Sequence, residues 1–195
     1  MELTGKRIGF ALTGSFCTYG VVLPVIKTLR EYGADVTPIL SFNAANLDTR
    51  FMSSSDLKTY LFETTGKEVI DDLNKAEPIG PKKLLDLLVI APCTGNTLAK
   101  LALGITDTPV LLAAKAHLRN QRPVLIAIST NDALAANAKN IGLLLNTRHM
   151  FFVPYRQDDH QKKETSIVAD MGLIIEAAKT ALDGVQIQPV MLDSK

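Results

Sequence analysis

Apolar and polar positions along this chain follow two rhythms. Ile8 to Leu12, Val36 to Leu40 and Val124 to Ile128 read as strands, and the continuous apolar run Leu87 to Ala91 has the form of a strand buried on both faces. Between them the apolar residues recur at helical spacing, in Val21 to Tyr32, in Pro109 to Leu118, and after Ala91, where Leu98, Leu101 and Ala102 share one face. Strands alternating with helices in this way predict a parallel sheet covered on both sides. The expected fold class is α/β, a three-layer αβα Rossmann-like (flavodoxin-like) arrangement with a mostly parallel sheet.

The punctuation refines these boundaries. Gly33 stops the first helix, and Ser53-Ser54-Ser55-Asp56 reads as the cap of a helix over Leu57 to Glu63, with turns near Gly66 and Pro78. Residues 43–82 are longer than a simple crossover needs, and long connections are more often functional or interfacial than idle. Ser129-Thr130-Asn131-Asp132 reads as the cap of a helix running through Leu145. Phe151 to Val153 reads as a fifth strand, Ile167 to Leu182 as a final amphipathic helix, and residues 184–195 as strand-like or frayed. With 195 residues, 47% of them hydrophobic, one domain over 1–195 is expected.

Charge removes several function classes. Lys and Arg total 21 against 20 Asp and Glu, a net charge of +1, so no global field draws nucleic acid or an acidic membrane surface. No apolar run approaches the roughly 18 residues of a membrane span. The start, Met1 to Arg7, leads directly into an apolar strand rather than into the apolar region of a signal peptide. Cys17 and Cys93 lack metal-ligand spacing and imply a reducing compartment or simple burial. A cytoplasmic protein with neither nucleic-acid nor membrane partners is expected.

The chemistry gathers where strands end. Pro92-Cys93-Thr94-Gly95-Asn96-Thr97-Leu98-Ala99-Lys100, followed by Gly104-Ile105-Thr106-Asp107, joins the carboxyl end of one strand to the amino end of a helix. Ligands bind in that crevice of open α/β sheets, because free helix N–H groups converge there. The first such turn, Leu12-Thr13-Gly14-Ser15-Phe16-Cys17, lacks the spacing of a dinucleotide fingerprint. There Gly14 would permit a tight turn and close approach, and the Ser15 hydroxyl would hold a mononucleotide phosphate; an ordinary turn and helix cap fits equally well. Ser41 ends the second strand, and Asn131 and the other polar residues of 129–132 end the fourth. Cys17 fits a small buried hydrophobe, and His117, His149 and His160 read as surface or packed residues.

These segments resemble the signature of the flavin-binding family that contains the flavin-dependent cysteine decarboxylases. In that family a small-residue stretch ending in Asn-Thr, an Ala-Lys pair and a Gly-Ile-x-Asp turn follow in this order. This chain carries Cys93-Thr94-Gly95 in the small-residue slots. The resemblance implies FMN as cofactor, held by Gly14, Ser15, Phe16, Ser41, Cys93, Thr94, Asn96, Thr97 and Ser129, with no metal. It also implies homo-oligomers, trimers that pack further into dodecamers.

Residues 128–134 occupy the slot of the decarboxylases' Pro-x-Met-Asn-x-x-Met-Trp motif, with Asn131 matching and Leu134 standing for a Met. Asn131 is therefore expected to touch a substrate carboxylate and is the one catalytic candidate. No His precedes His117, so the decarboxylases' active-site His is absent. The part of the family that matches from end to end implies instead oxidation of a small dihydropyridine dicarboxylate, carried out with a dehydrogenase-like partner. A non-catalytic assembly protein and a decarboxylase or prenyl-FMN synthase of the same fold are the alternatives.

Overall fold

The computed structural model describes residues 3–193. Met1 and Glu2, in the segment leading to the first strand, and residues 194–195, at the end of the strand-like or frayed tail, lie outside the described residues. Strands β1 (Arg7–Leu12), β2 (Asp35–Leu40), β3 (Leu87–Cys93) and β4 (Val124–Thr130) lie parallel in the order β2-β1-β3-β4. The short β5 (Met150–Phe152) runs parallel to the first half of β4, against Val124, Leu125 and Ile126. The apolar runs of the sequence are these central strands, and every residue of β3 is buried. The α/β class and its mostly parallel sheet are as expected.

Helices cover both faces. On one side α1 (Tyr19–Glu31) and α8 (Ile174–Leu182) pack on β3 and on each other, and on the other α6 (Pro109–Arg119) packs on β2, β3 and β4. Local chemistry fixes where they begin. Thr108 accepts from the Leu111 N–H ahead of Pro109, whose missing donor costs nothing in a first turn. Ser53 caps α3 (Ser54–Thr65) in the same way, and Gly66 ends it at φ 71°, in the left-handed region glycine favours.

The long excursion at 43–82 has a structural task. It forms α2 (Phe42–Asn46), α3 and α4 (Leu73–Ala76), and between the last two Ile70 pairs with Ile39 of β2. The Leu40 N–H donates to the Ile70 carbonyl at 2.9 Å and the Ile70 N–H to the Pro38 carbonyl at 2.9 Å. This seals part of the exposed edge of β2, where open donors and acceptors would invite another strand.

Three expectations need correction. Residues 163–169 are a strand, β7 (Lys163–Ala169), hairpin-paired with β6 (Tyr155–Asp159), so the last helix starts at Ile174 rather than Ile167. The run Thr165-Ser166-Ile167-Val168 is mostly β-branched and Asp170 ends it by accepting from the Gly172 N–H, so strand preference and a stop signal override helical spacing. Ser129 to Asp132 do not cap a helix: β4 runs through Thr130, turns follow, and α7 (Ala138–Leu145) begins later. The capping oxygens are engaged elsewhere, Ser129 with other hydroxyls and Asp132 with Thr130 and Asn137. Cys17, expected to be buried, is exposed, because its short 3-10 turn (Phe16–Thr18) turns it away from the core.

The tail is tied down. The Gln186 side chain accepts from the Phe152 N–H at 2.7 Å and donates to the Phe152 carbonyl at 2.7 Å, and Tyr155 pairs with Met191 farther along.

Candidate functional site

The carboxyl ends of β1, β3 and β4 converge, and hydroxyl groups lock them together. Thr13, just past β1 and buried, donates from Oγ1 to the Pro92 carbonyl at 2.7 Å and accepts from the Thr94 N–H at 3.1 Å. The Tyr19 hydroxyl donates to the Thr13 carbonyl at 2.9 Å, and burial raises that phenol's pKa. The Oγ atoms of Ser15, Thr18 and Ser129 form a closed triangle with sides of 2.8, 3.0 and 3.0 Å, which ties the first turn to the end of β4.

Two cavities open above these ends and share Gly14 and Thr94 as a common wall. The first, of about 310 Å³, is lined by Thr13, Gly14, Ser41, Asn43, Thr94, Asn96, Thr97 and Thr108, with Phe42 and Leu111 as its apolar part. Lys100 and Asp107 also line it, paired at 2.6 Å. Thr94 caps α5 (Gly95–Ala102) by accepting from the Thr97 N–H, so the positive end of that helix faces the space. The second cavity, of about 390 Å³, is lined by Ser15, Cys17, Thr18, Ser129, Thr130, Asn131 and, from the β6–β7 hairpin, Asp158, Lys163 and Ser166.

The residues singled out in the sequence thus divide between two spaces. Ser41, Asn96 and Thr97 face the first cavity, Ser15, Ser129 and Asn131 the second, and Gly14 and Thr94 both. Phe16 and Cys93 line neither. The Phe16 ring lies 5.4 Å from that of Tyr19, against the core, and Cys93 is fully buried in β3, where loss of water raises its thiol pKa. Gly14 does not adopt the left-handed backbone that would require glycine, and a Cβ there would sit 3.7 Å from Phe16 and 3.8 Å from Asn43, ordinary contacts. Its absent side chain leaves room at the shared wall rather than permitting a tight turn.

Sequence reasoning missed Thr13, Asn43 and Thr108 in the first cavity, and Asp158, Lys163 and Ser166 in the second. Lys100 and Asp107 stand in the quoted motif but were not assigned to the site. The hairpin residues precede the expected helix at 167–182, which took the second half of β7 and so left 155–166 without a strand partner. The β-branched residues Thr165, Ile167 and Val168 are the sequence signal for a strand.

A switch point between β1 and β3, with ligand space over their carboxyl ends, is the geometry in which doubly wound folds take mononucleotides. The chain belongs to the family described as Flavoprotein, whose model it matches over residues 1–179. It is 49% identical over 193 residues to the dipicolinate synthase B subunit of Bacillus subtilis (strain 168), covering 99% of this chain and 96% of that protein. The crystal structure of the dipicolinate synthase B subunit from Bacillus halodurans C superposes with a TM-score of 0.92 at 46% identity, covering both chains completely. The FMN-dependent cysteine decarboxylase SpaF shares the fold, at a TM-score of 0.70 and 23% identity over 93% of this chain and 97% of that one.

Proposed function

We propose that this chain is the FMN-binding B subunit of a dipicolinate synthase. Together with a dehydrogenase-like A subunit, it oxidises dihydrodipicolinate, or its hydrated precursor, to dipicolinate in the cytoplasm of the mother cell of a sporulating bacterium. The observation that carries this reading is the near full-length identity of 49% to a dipicolinate synthase B subunit.

The residues present fit the cofactor. The first cavity offers what a phosphate needs: the amino end of α5, the hydroxyls of Ser41, Thr94, Thr97 and Thr108, and the cation of Lys100. A single such cradle without a second glycine-rich turn suits a mononucleotide. FMN supplies a two-electron acceptor, which conversion of a dihydropyridine to a pyridine requires. The chain's own groups bind and orient: Gly14 leaves the wall between the cavities open, and Asn131 faces the second cavity, where its amide can hold a carboxylate. Among the described residues neither cavity is lined by a histidine, so this constellation has no imidazole for a decarboxylase's proton chemistry.

The protein assembles as a homo-oligomer, a trimer or a dodecamer. Support comes from exposed apolar side chains on and beside α5 and α7, including Leu103 at 70% exposure and Leu143 at 55%. Light scattering that gave a stable monomer at micromolar concentration would rule this out.

The cofactor reading is tested by titrating the protein with FMN and following flavin absorbance and thermal stability. A saturable shift is expected. No shift would remove the flavin role and leave a scaffold for the dehydrogenase-like partner. Dipicolinate is expected only when both subunits are mixed.

A further inference from the structure

The second cavity contains a charged pair to which the proposed function gives no task. Lys163 Nζ bonds Asp158 Oδ2 at 2.7 Å across the β6–β7 hairpin, and both residues line the cavity that Asn131 faces. The hydrogen bond to Asp158, with its charge, raises the Lys163 pKa, so this ammonium is always protonated near neutral pH. A lysine has three N–H donors. One is engaged by Asp158, which leaves donors for a second acceptor. Lys163 is the one cation among the described residues lining this cavity.

A chain of polar contacts connects that cation to Asn131. The buried Ser166 hydroxyl lies 3.4 Å from Asn131 Oδ1 and 3.4 Å from Asp158 Oδ2. Lys163, Asp158, Ser166 and Asn131 therefore form one continuous wall, with an amide at one end and an ammonium at the other. The Thr165 hydroxyl donates to the Asn131 carbonyl at 2.6 Å, so the hairpin also fixes the backbone that carries the amide.

Resting on the proposed function, we propose that Lys163 is the specificity-determining residue that anchors the second carboxylate of a dicarboxylate ligand whose first carboxylate is held at Asn131, with Asp158 as its positioning partner. Charge-assisted hydrogen bonds are stronger than neutral ones, so the Lys163 end governs the choice between dicarboxylate and monocarboxylate. Asp158 holds the long lysine side chain over the cavity and lowers the entropy lost when a carboxylate arrives.

The test is calorimetric titration of the full chain with pyridine-2,6-dicarboxylate and with pyridine-2-carboxylate, for the wild type, Lys163→Ala, Lys163→Arg and Asp158→Asn. The wild type should favour the dicarboxylate. Lys163→Ala should lose affinity for it by roughly tenfold to a hundredfold, as expected for a hydrogen bond to a charged group. Its affinity for the monocarboxylate should not change. Lys163→Arg should restore most of the preference, and Asp158→Asn should weaken it partway. Lys163 is exposed on a hairpin, and circular dichroism of each variant verifies the fold. A Lys163→Ala variant that weakens both acids equally, or neither, overturns this assignment while the FMN titration still stands. A wild type that binds neither acid overturns both this assignment and the substrate reading on which it rests.

Discussion

Asp132 Oδ1 lies 2.5 Å from the position a Cβ would occupy on Gly95, with Asn137 Nδ2 and Thr130 Oγ1 each 2.6 Å from it. Glycine stands at the head of α5 because a polar cluster occupies the space of a side chain. Asp132 accepts from Thr130 at 2.6 Å and from Asn137 at 2.7 Å, and Asn137 in turn accepts from Asn140 at 2.8 Å. The head of α5 and the turn at 130–137 are thus packed against each other, and Gly95 cannot gain a side chain without moving that turn.

Gly95→Ala should lower stability by about 1–3 kcal/mol through overpacking, read by chemical unfolding. Combined with Asp132→Ala it should cost less than the two single changes added together, because that change removes the nearest clash and releases Thr130 and Asn137, both bonded to Asp132, to move aside. Strict additivity would mean that the two residues do not meet.

Gly14→Ala should unfold within about 0.5 kcal/mol of the wild type, since its Cβ makes no close contact in the chain. Its FMN affinity should fall markedly, because the methyl group enters the wall shared by both cavities. Unchanged FMN binding in a fluorescence titration would place the ligand away from the first turn.

The two cysteines should label differently. Cys17 is exposed at the second cavity and Cys93 is buried, so a thiol reagent should modify one site per chain in the native state and two after denaturation. Peptide mapping that found Cys93 modified in native protein would contradict its burial.

Asn131→Ala, assayed with the dehydrogenase-like partner present, should slow dipicolinate formation by about 1–3 kcal/mol of transition-state stabilisation, without unfolding the chain. Unaltered kinetics would move the substrate contact to another residue or to the partner.

Acid should destabilise the protein through His117. Its ring is buried, and loss of water, reinforced by the Arg122 charge, lowers its pKa from 6.5 to about 4. The unfolded chain therefore binds a proton that the folded chain refuses, and this group's contribution is complete above pH 6.5 and is lost as the pH falls toward 4. The loss is about 3 kcal/mol, taking about 1.4 kcal/mol per pKa unit. His117→Leu should flatten the decline over that interval in unfolding measured at several pH values, and an identical slope would rule out His117 as its source.

The sheet was legible in the sequence because each central strand is built on a mostly apolar run, unbroken in Leu87 to Ala91 and Val124 to Ile128, and Ser53 and Gly66 marked a helix by chemistry confined to its own ends. Among the residues that line the two cavities, Gly14, Ser41, Thr94, Asn96 and Asn131 were singled out in the sequence because they stand where strands end. What failed depended on contacts distant in sequence. Ser129 has the composition of a cap but meets Ser15, 114 positions away, and Asp132 is taken by Asn137. Lys163 reaches a cavity only because the hairpin pairs with the end of β4, far from it in sequence.

β4 has a divided flank: its first half holds β5, and β7 meets it at Ser129 and Thr130 alone. The hairpin's ladder to the sheet is thus two residue pairs long, supplemented by single contacts of Thr165 with Asn131 and of Tyr155 with Met191, while the parallel strands keep their alignment through separate ladders. Insertions or deletions near its tip at 160–162 should therefore leave the register of β1 and β3 untouched. In evolutionary terms this makes the hairpin a replaceable graft, through which one scaffold could be refitted for a different ligand without rebuilding the part beneath it.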